Sequence, residues 1–522
     1  MALLLIGTAF VTLWQLGYLP LTDVDEPVYG QVGKEMAHAG WRGWLTPHNG
    51  GLPWFDKPPL FYWLTALSMR GLGVSEMSAR LPSALLGIAL VGVTYALARR
   101  AFPETPRTAL WAGFALATCV QFFLLARAAV TDMTLTAALT LALYGLYVWT
   151  TTNQGRWIAL AGLMTGLAAL TKGPVALVLI GLQTIAYLCL TRQARRLLFP
   201  ALWAGFGLCL VVALPWYLAM IHLHGQAFIS YFLEANNVTR YLQAEHQTTS
   251  PFWFFVPVLF AGLFPWSLGL PGALIFAWQI GRTAWAERQI DNPMLFFGLW
   301  VALVFVFFSA SQSKLITYIF PLYPAAAVLL GYWLARRETF AISKLLVVYA
   351  ILNMMMGIAL WMAGRKFGVT PLTLGLWLTV LIFAAVSVIS LRRQRGVWLL
   401  PGIATTLVLL LTWCSPTWKV QEVSISERKL AADASAATPP GGIIHALGLK
   451  HPSLRFYATR PVAYTDDRDA AARDLRAHPG VVYAMRPKDM DDLRLKYHVT
   501  NFRVIRRGPA MLIQATTPSE KN

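Results

Sequence analysis

The chain has 522 residues, of which 57% are hydrophobic and 13% charged, and its formal net charge is +19. Soluble globular chains carry roughly 25% charged residues and seldom hold apolar runs of about 18 residues, so a soluble class is excluded. The positive balance does not require nucleic acid, because cytoplasmic loops of polytopic proteins collect Lys and Arg and anionic lipids favour basic surfaces.

Apolar segments near 1–19, 80–99, 108–126, 133–150, 157–171, 174–191, 198–221, 251–277, 294–310, 315–334, 343–363, 374–391 and 397–414 predict thirteen transmembrane helices. Residues 1–19 lack a basic leader and a small-residue cleavage site, and are read as an uncleaved span. The short stretch 59–74 is predicted as an interfacial helix. Cys119, Cys189, Cys209 and Cys414 all fall in apolar segments without metal or CxxC spacing, which points to packing.

Loop charge orients the chain. One alternating set holds Arg99, Arg100, Arg107, Arg156, Arg192, Arg195, Arg196, Arg282, Arg288, Arg336, Arg337, Lys344, Arg392, Arg393 and Arg395. The other short loops hold only Arg127, Lys172, Lys314, Arg365 and Lys366. The richer set belongs in the cytoplasm with the amino terminus. The outer face then receives the intervals 20–79 and 222–250 and everything after Cys414. Two domains follow: 1–414, transmembrane with those outer loops, and 415–522, a soluble α/β domain. In the latter, 441–449, 453–465, 480–487 and 502–515 read as strands, and 467–478 and 487–497 as helices. No glycine-rich nucleotide fingerprint occurs.

The interval Thr22–Trp63 carries the chemistry. It opens with Asp23, Asp25 and Glu26 and closes with Phe55-Asp56-Lys57-Pro58-Pro59. Asp25 is a catalytic candidate against the plainer reading of a solvated loop acid. Asp132, at membrane depth on the same face, is a second, with helix capping as its rival. The two prolines hold Lys57 on a stiff, extended backbone suited to a phosphate. Lys172, in Leu-Thr-Lys-Gly-Pro, breaks an apolar hairpin, with snorkelling as the alternative. Arg240 and Lys314 add cations to that face, and Lys and Arg are good phosphate partners. His222, His224 and His246 match no metal-ligand spacing, so no metal site is expected, although a need for a divalent ion stays open.

These segments resemble the GT-C glycosyltransferases of the ArnT and protein O-mannosyltransferase superfamily, most closely the ArnT group, which moves aminoarabinose to lipid A. The likeness runs through Asp25-Glu26 with Tyr29, Glu35-Met36, Phe55 to Leu60 with Tyr62-Trp63, Arg127 to Met133, and Leu170 to Gly173. It continues through Arg240, Pro251-Phe252-Trp253 with Pro257, and Ser313-Lys314-Leu315 with Tyr318 and Pro321. The resemblance implies a polytopic α-helical membrane protein of GT-C fold with a small periplasmic domain. It further implies an undecaprenyl-phosphate sugar donor, an acceptor such as lipid A, membrane-lipid contact, no nucleic acid partner and a monomer in the bacterial inner membrane. By position, Asp25 matches the acid at the reaction centre, Lys57 and Arg240 the ligands of the lipid phosphate, and Lys172 and Asp132 further cavity residues. Glu26, Tyr29, Trp54, Asp56, Arg127, Lys314 and Tyr318 complete the candidates. Asp56 stands where many relatives have Glu and Trp54 where Tyr is common. A protein, glycan or other lipid acceptor, and more distantly a polyprenyl-lipid flippase or a non-catalytic lipid-binding scaffold, are the alternatives; a flippase would place charges toward both leaflets.

Overall fold

The computed structural model describes residues 1–22, 24–239, 251–287, 291–336, 422–449 and 451–517, with 402, 404 and 408 besides. The predicted spans 343–363 and 374–391, almost all of 397–414, and a boundary at 414/415 lie outside the described residues. Two compact units emerge. The first gathers Met1–Leu16, Phe55–Phe61 and Arg80–Thr417; the second gathers Gly17–Trp54, Tyr62–Ala79 and Trp418–Asn522.

In the first unit, Glu76–Ala101, Thr131–Thr152, Pro200–Phe232 and Pro293–Ala310 are each long and apolar enough to cross a membrane, among the described residues. The predicted span 108–126 is two helices, Arg107–Ala117 and Val120–Ala126, meeting at 64°. Side chains satisfy the backbone at the break. Thr118 Oγ1 donates to the Phe114 carbonyl at 2.6 Å and accepts from Trp266 Nε1 at 3.0 Å. Gln121 Nε2 donates to the Ile316 carbonyl at 2.8 Å. A break of this kind is tolerated at membrane depth only where protein supplies the missing partners. The predicted span 251–277 also divides, into Phe255–Gly262 and Leu270–Ala286. Pro265 lies between them and has no N–H to continue a helix. Residues 315–319 are not helical, and the last described helix of this unit starts at Tyr323.

Small residues set the closest approach. Gly162 and Gly166, four apart on Gly155–Lys172, face Pro200–Phe228; a Cβ on Gly166 would stand 2.9 Å from the Cys209 carbonyl, and one on Gly162 would overlap the Gly205 backbone. Without a hydrophobic force between helices in lipid, such close van der Waals packing holds them together. Gly162→Leu is therefore expected to force this pair apart and lower the melting midpoint of the purified protein by several degrees, whereas the same change at Gly181, where open space surrounds the Cα, leaves it unmoved.

Members of the two loop sets stand at opposite ends of Thr131–Thr152. Near its carboxy end, Arg100 Nη2 donates to Thr151 Oγ1 at 2.9 Å and Arg196 Nη1 to the Thr150 carbonyl at 2.6 Å. At its amino end sit Asp132 and Lys172. Eighteen residues of helix separate Asp132 from Thr150, about 27 Å at 1.5 Å per residue, close to the hydrocarbon thickness of a bilayer.

The second unit is α/β. Helix Asp25–His38 leads to a hairpin of β1 (His48–Asn49) and β2 (Leu52–Pro53). Glu35 clamps that hairpin, its carboxylate accepting from the Gly50 and Gly51 amides at 2.6 and 3.0 Å. The predicted interfacial stretch is helix Leu60–Leu72, about 20 Å long and so too short to span a bilayer. The carboxy-terminal sheet has β3 (Ile444–Leu447), β4 (Val462–Thr465), β5 (Val482–Met485), β6 (Phe502–Arg506) and β7 (Met511–Ala515) in the order β4-β3-β5-β7-β6. β3 runs parallel to β4 and β5; β7 is antiparallel to β5 and β6. Every residue of β5 is buried: Val482 and Ala484 join one core with Leu430 and Ala434, while Tyr483 and Met485 join another with Leu475 and Leu493. A central strand covered on both faces reads as a continuous apolar run.

Two sequence expectations change here. The stretch 453–465 is not one strand; helix Pro452–Tyr457 precedes β4, because Leu454 and Phe456 have to reach the core from a helical face. The stretch 502–515 is a hairpin of β6 and β7, turned at Gly508. Helix Glu422–Ala437, unmarked in the sequence reading, supplies Leu430, Ala431 and Ala434 to the core.

One ionic centre closes this fold. The fully buried Asp489 accepts from Arg468 Nε at 3.1 Å and Arg486 Nε at 2.7 Å. Burial pushes its carboxyl up, but the hydrogen bonds and charges of Arg486 and Arg468 outweigh this and hold it below the ordinary range. A depressed native pKa stabilises above the unfolded value, near about 3.9, and that contribution disappears as pH falls through the native value. Asp489→Asn is expected to lower the melting midpoint by several degrees at pH 7. At a pH below the native pKa, variant and wild type should melt together; a constant gap down to that point would contradict the ionic account.

Candidate active site

In the first unit the FDKPP segment is fixed by its first residue. The Phe55 ring packs 5.0 Å from His224, 5.5 Å from Phe228 and 6.4 Å from Tyr231, centroid to centroid. Pro58 and Pro59 are buried behind it. Lys57 is thereby drawn out of water: its side chain is 12% exposed, and Nζ donates to Asp56 Oδ1 at 3.1 Å and to the Asp56 carbonyl at 3.3 Å. Arg240 follows in sequence the Ile229–Thr239 segment that carries Tyr231, and lies itself outside the described residues, as does His246.

A second charged group forms where Thr131–Thr152 starts and Gly155–Lys172 ends. Lys172 Nζ meets Asp132 Oδ1 at 2.7 Å, with side chains 13% and 10% exposed. The Tyr318 ring covers the ammonium, its centroid 4.7 Å from Nζ. Such cation–π contacts gain strength on desolvation. The same turn holds Lys314, whose Nζ donates to the Ser311 carbonyl at 2.6 Å. Asp132 is the second residue of its helix, where the helix dipole favours an anion. The helix-capping alternative takes a different form: Val130 is the N-cap residue, no side chain caps there, and Asp132 lies in the first turn.

Arg127 has a structural task. Its Nη1 donates to the carbonyls of Val11 and Trp14, each at 2.8 Å, and of Thr12 at 3.3 Å, supplying the carbonyls left open at the end of Ala2–Leu13.

In the second unit, Asp25 is exposed in the first turn of Asp25–His38, and Glu26 is buried, its Oε2 accepting from the Thr22 amide at 2.8 Å. That bond satisfies the chain entering the helix. Tyr29 is buried with its ring 5.9 Å from that of Tyr62. Trp54 is half-buried beside Gln31 and Arg455, two residues the sequence reading did not single out. Gln31 could have been found as the fourth member of one helix face with Val24, Pro27 and Val28, at i, i+3, i+4 and i+7. Nothing in the sequence around Arg455 distinguishes it. Among the described residues, no three His, Cys, Asp or Glu side chains gather where one metal ion could join them.

Charged groups held at helix ends within an apolar helical unit, in a chain that also carries an α/β domain, fit the class of integral-membrane GT-C glycosyltransferases. The family model described as dolichyl-phosphate-mannose-protein mannosyltransferase matches residues 56–218. An undecaprenyl phosphate-alpha-4-amino-4-deoxy-L-arabinose arabinosyl transferase of Pseudomonas aeruginosa (strain UCBPP-PA14) is 30% identical over 511 residues, covering 94% of this chain and 84% of the relative. A protein of the same name from Pseudomonas paraeruginosa (strain DSM 24068 / PA7) is 32% identical over 446 residues, 80% of this chain and 76% of the relative. The crystal structure of ArnT from Cupriavidus metallidurans bound to undecaprenyl phosphate shares the fold, with a TM-score of 0.84 at 24% identity over 99% of this chain and 98% of that one. The chain belongs to the family of undecaprenyl phosphate-alpha-4-amino-4-deoxy-L-arabinose arabinosyl transferases, and it is a multi-pass membrane protein.

Proposed function

We propose that this protein moves 4-amino-4-deoxy-L-arabinose from undecaprenyl phosphate to lipid A at the periplasmic face of the bacterial inner membrane. Donor and sugar follow from the relatives' names; the acceptor and the face are our reading. The observation that carries the chemistry is Lys57, an ammonium kept 12% exposed on a proline-stiffened segment.

The reaction breaks the bond between the sugar's anomeric carbon and the phosphate oxygen and forms one to an acceptor oxygen. The electron pair goes to the lipid phosphate, and a fixed cation in a low-dielectric setting favours that charge without reorganising. Lys57 takes this role together with Arg240. Asp25 takes the proton when the acceptor is a hydroxyl, and positions the reactants when the acceptor is an already ionised phosphate. Asp132, Lys172 and Tyr318 form a fixed polar group at one end of the helical unit. A single displacement inverts the anomeric centre.

Mass spectrometry of lipid A from cells with and without the gene tests the reading. Loss of one pentosamine mass on deletion is the expected result. Unchanged lipid A, with a sugar missing from a periplasmic protein instead, would favour the protein acceptor that the matching family description names.

A further inference from the structure

The second unit contains a cavity of about 440 Å³ between helix Asp25–His38, the β1–β2 hairpin and the edge of the carboxy-terminal domain. Its size falls within the roughly 300–1,000 Å³ of small-ligand sites. Three polar atoms buried at its lining residues have no hydrogen-bond partner: Gln31 Oε1, Trp54 Nε1 and Arg455 Nε. Gln31 is itself 8% exposed. Buried polar groups are nearly always satisfied, and three orphans in one cavity point to a ligand that supplies their partners.

The surroundings hold two of the three orphans, Gln31 and Arg455, in place rather than leaving them to turn elsewhere. Gln31 Nε2 donates to Glu35 Oε1 at 2.6 Å, which fixes the amide with its oxygen left over. Arg455 uses Nη1 on Asn49 Oδ1 at 3.1 Å and Nη2 on the Val462 carbonyl at 3.1 Å, and its guanidinium lies 4.8 Å from the Tyr464 ring centroid. Gly50, at φ +70°, lets the hairpin pass against that guanidinium; a Cβ there would come 2.6 Å from Arg455 Cζ.

Two donors and one acceptor, set beside an indole and a phenol ring, match a group rich in hydroxyls that each donate and accept, on a ring with apolar faces. Charge does not favour a bare anion: the carboxylate of Asp466 lines the same cavity as Arg455, and His451 already bonds Glu427 Oε1 at 2.6 Å. We propose that this cavity is a carbohydrate subsite that binds one sugar ring through Gln31, Trp54 and Arg455. Val24, Pro27, Val28 and Gln31 put the subsite on one face of the helix, and Asp25 stands about 100° round from Val24 on the same helix. The assignment of that ring to a transfer substrate rests on the transferase reading, whereas the binding itself does not.

The test uses the full chain in lipid nanodiscs, with 4-amino-4-deoxy-L-arabinose, D-glucosamine and inorganic phosphate as separate probes, read by saturation-transfer NMR and tryptophan fluorescence. One of the sugars should bind, and phosphate alone should not. Trp54→Phe, which keeps a ring but removes the N–H, should weaken that binding about three- to tenfold with the melting midpoint unchanged; Arg455→Lys should weaken it as much and also lower the midpoint, because the bonds to Asn49 and Val462 are lost. Lys57→Ala should lose transfer and keep sugar binding. A rise in acceptor KM alone in Trp54→Phe assigns the ring to the acceptor glycan, and a rise in donor KM alone assigns it to the donor sugar. Wild type that transfers yet binds neither sugar overturns the subsite and spares the transferase. Binding that persists in both variants also overturns it, whereas weakened binding with both KM values unchanged retains the subsite and removes its assignment to a transfer substrate. Wild type that binds sugar yet transfers none retains the subsite and removes its assignment to a transfer substrate.

Discussion

Lys57→Ala is expected to lower sugar transfer by about 10²–10³-fold in kcat, the usual consequence of removing one preorganised charge partner from a developing anion. The reason is local. Phe55 is locked among His224, Phe228 and Tyr231, and two buried prolines follow, so the ammonium does not move away from where the backbone puts it. Its partial neutralisation by Asp56 at 3.1 Å leaves an ammonium that can still join a phosphate. Lys57→Arg should recover part of the rate, because charge is kept while the geometry of a point ammonium is not. Turnover of donor in nanodiscs, with protein yield and melting midpoint as folding controls, measures this. A well-folded alanine variant working within about threefold of wild type would remove Lys57 from the chemistry.

The second large effect is expected at Asp132 and Lys172. Their side chains are only 10% and 13% exposed, so removing one partner leaves a largely buried charge without its counter-ion. Breaking such a pair costs about 3–5 kcal/mol, whereas replacing both partners by apolar groups is often neutral. Lys172→Met and Asp132→Leu should each destabilise the purified protein strongly, and the double variant should regain much of the loss. Tyr318→Leu, which removes the ring over the ammonium together with its packing 5.4 Å from the Phe308 ring, should cost about 1–2 kcal/mol. Thermal unfolding followed by tryptophan fluorescence reads all four. If the double variant melts no higher than the worse single one, the pair is not what holds these two helix ends together.

Legibility followed the range of the interactions. Membrane character and the spacing of the apolar segments were readable because burial in lipid demands about twenty apolar residues in a row. The loop charges sorted into two sets by counting alone, and Arg100 and Arg196 do stand at the opposite end of Thr131–Thr152 from Lys172. Lys57 and Lys172 were visible as charges out of place. Local propensity failed where tertiary contacts rule. The stretch 453–465 has strand-like composition, yet its first half is helical because Leu454 and Phe456 serve the core from that conformation. Arg127 looked like a site cation, and is instead bonded to three carbonyls more than a hundred residues away.

The sequence by itself determined that this is a membrane protein and which charged residues lie out of keeping with their apolar surroundings; both follow from composition or from neighbours within a few positions. Only the tertiary structure decided that Asp132 pairs with Lys172 under Tyr318, that Arg127 closes a helix end, and that Gln31, Trp54 and Arg455 share one cavity. Those pairings join residues tens to hundreds of positions apart. Hydrogen bonds and ion pairs act over about 3 Å, so which distant groups meet is set by how the helices and the sheet pack.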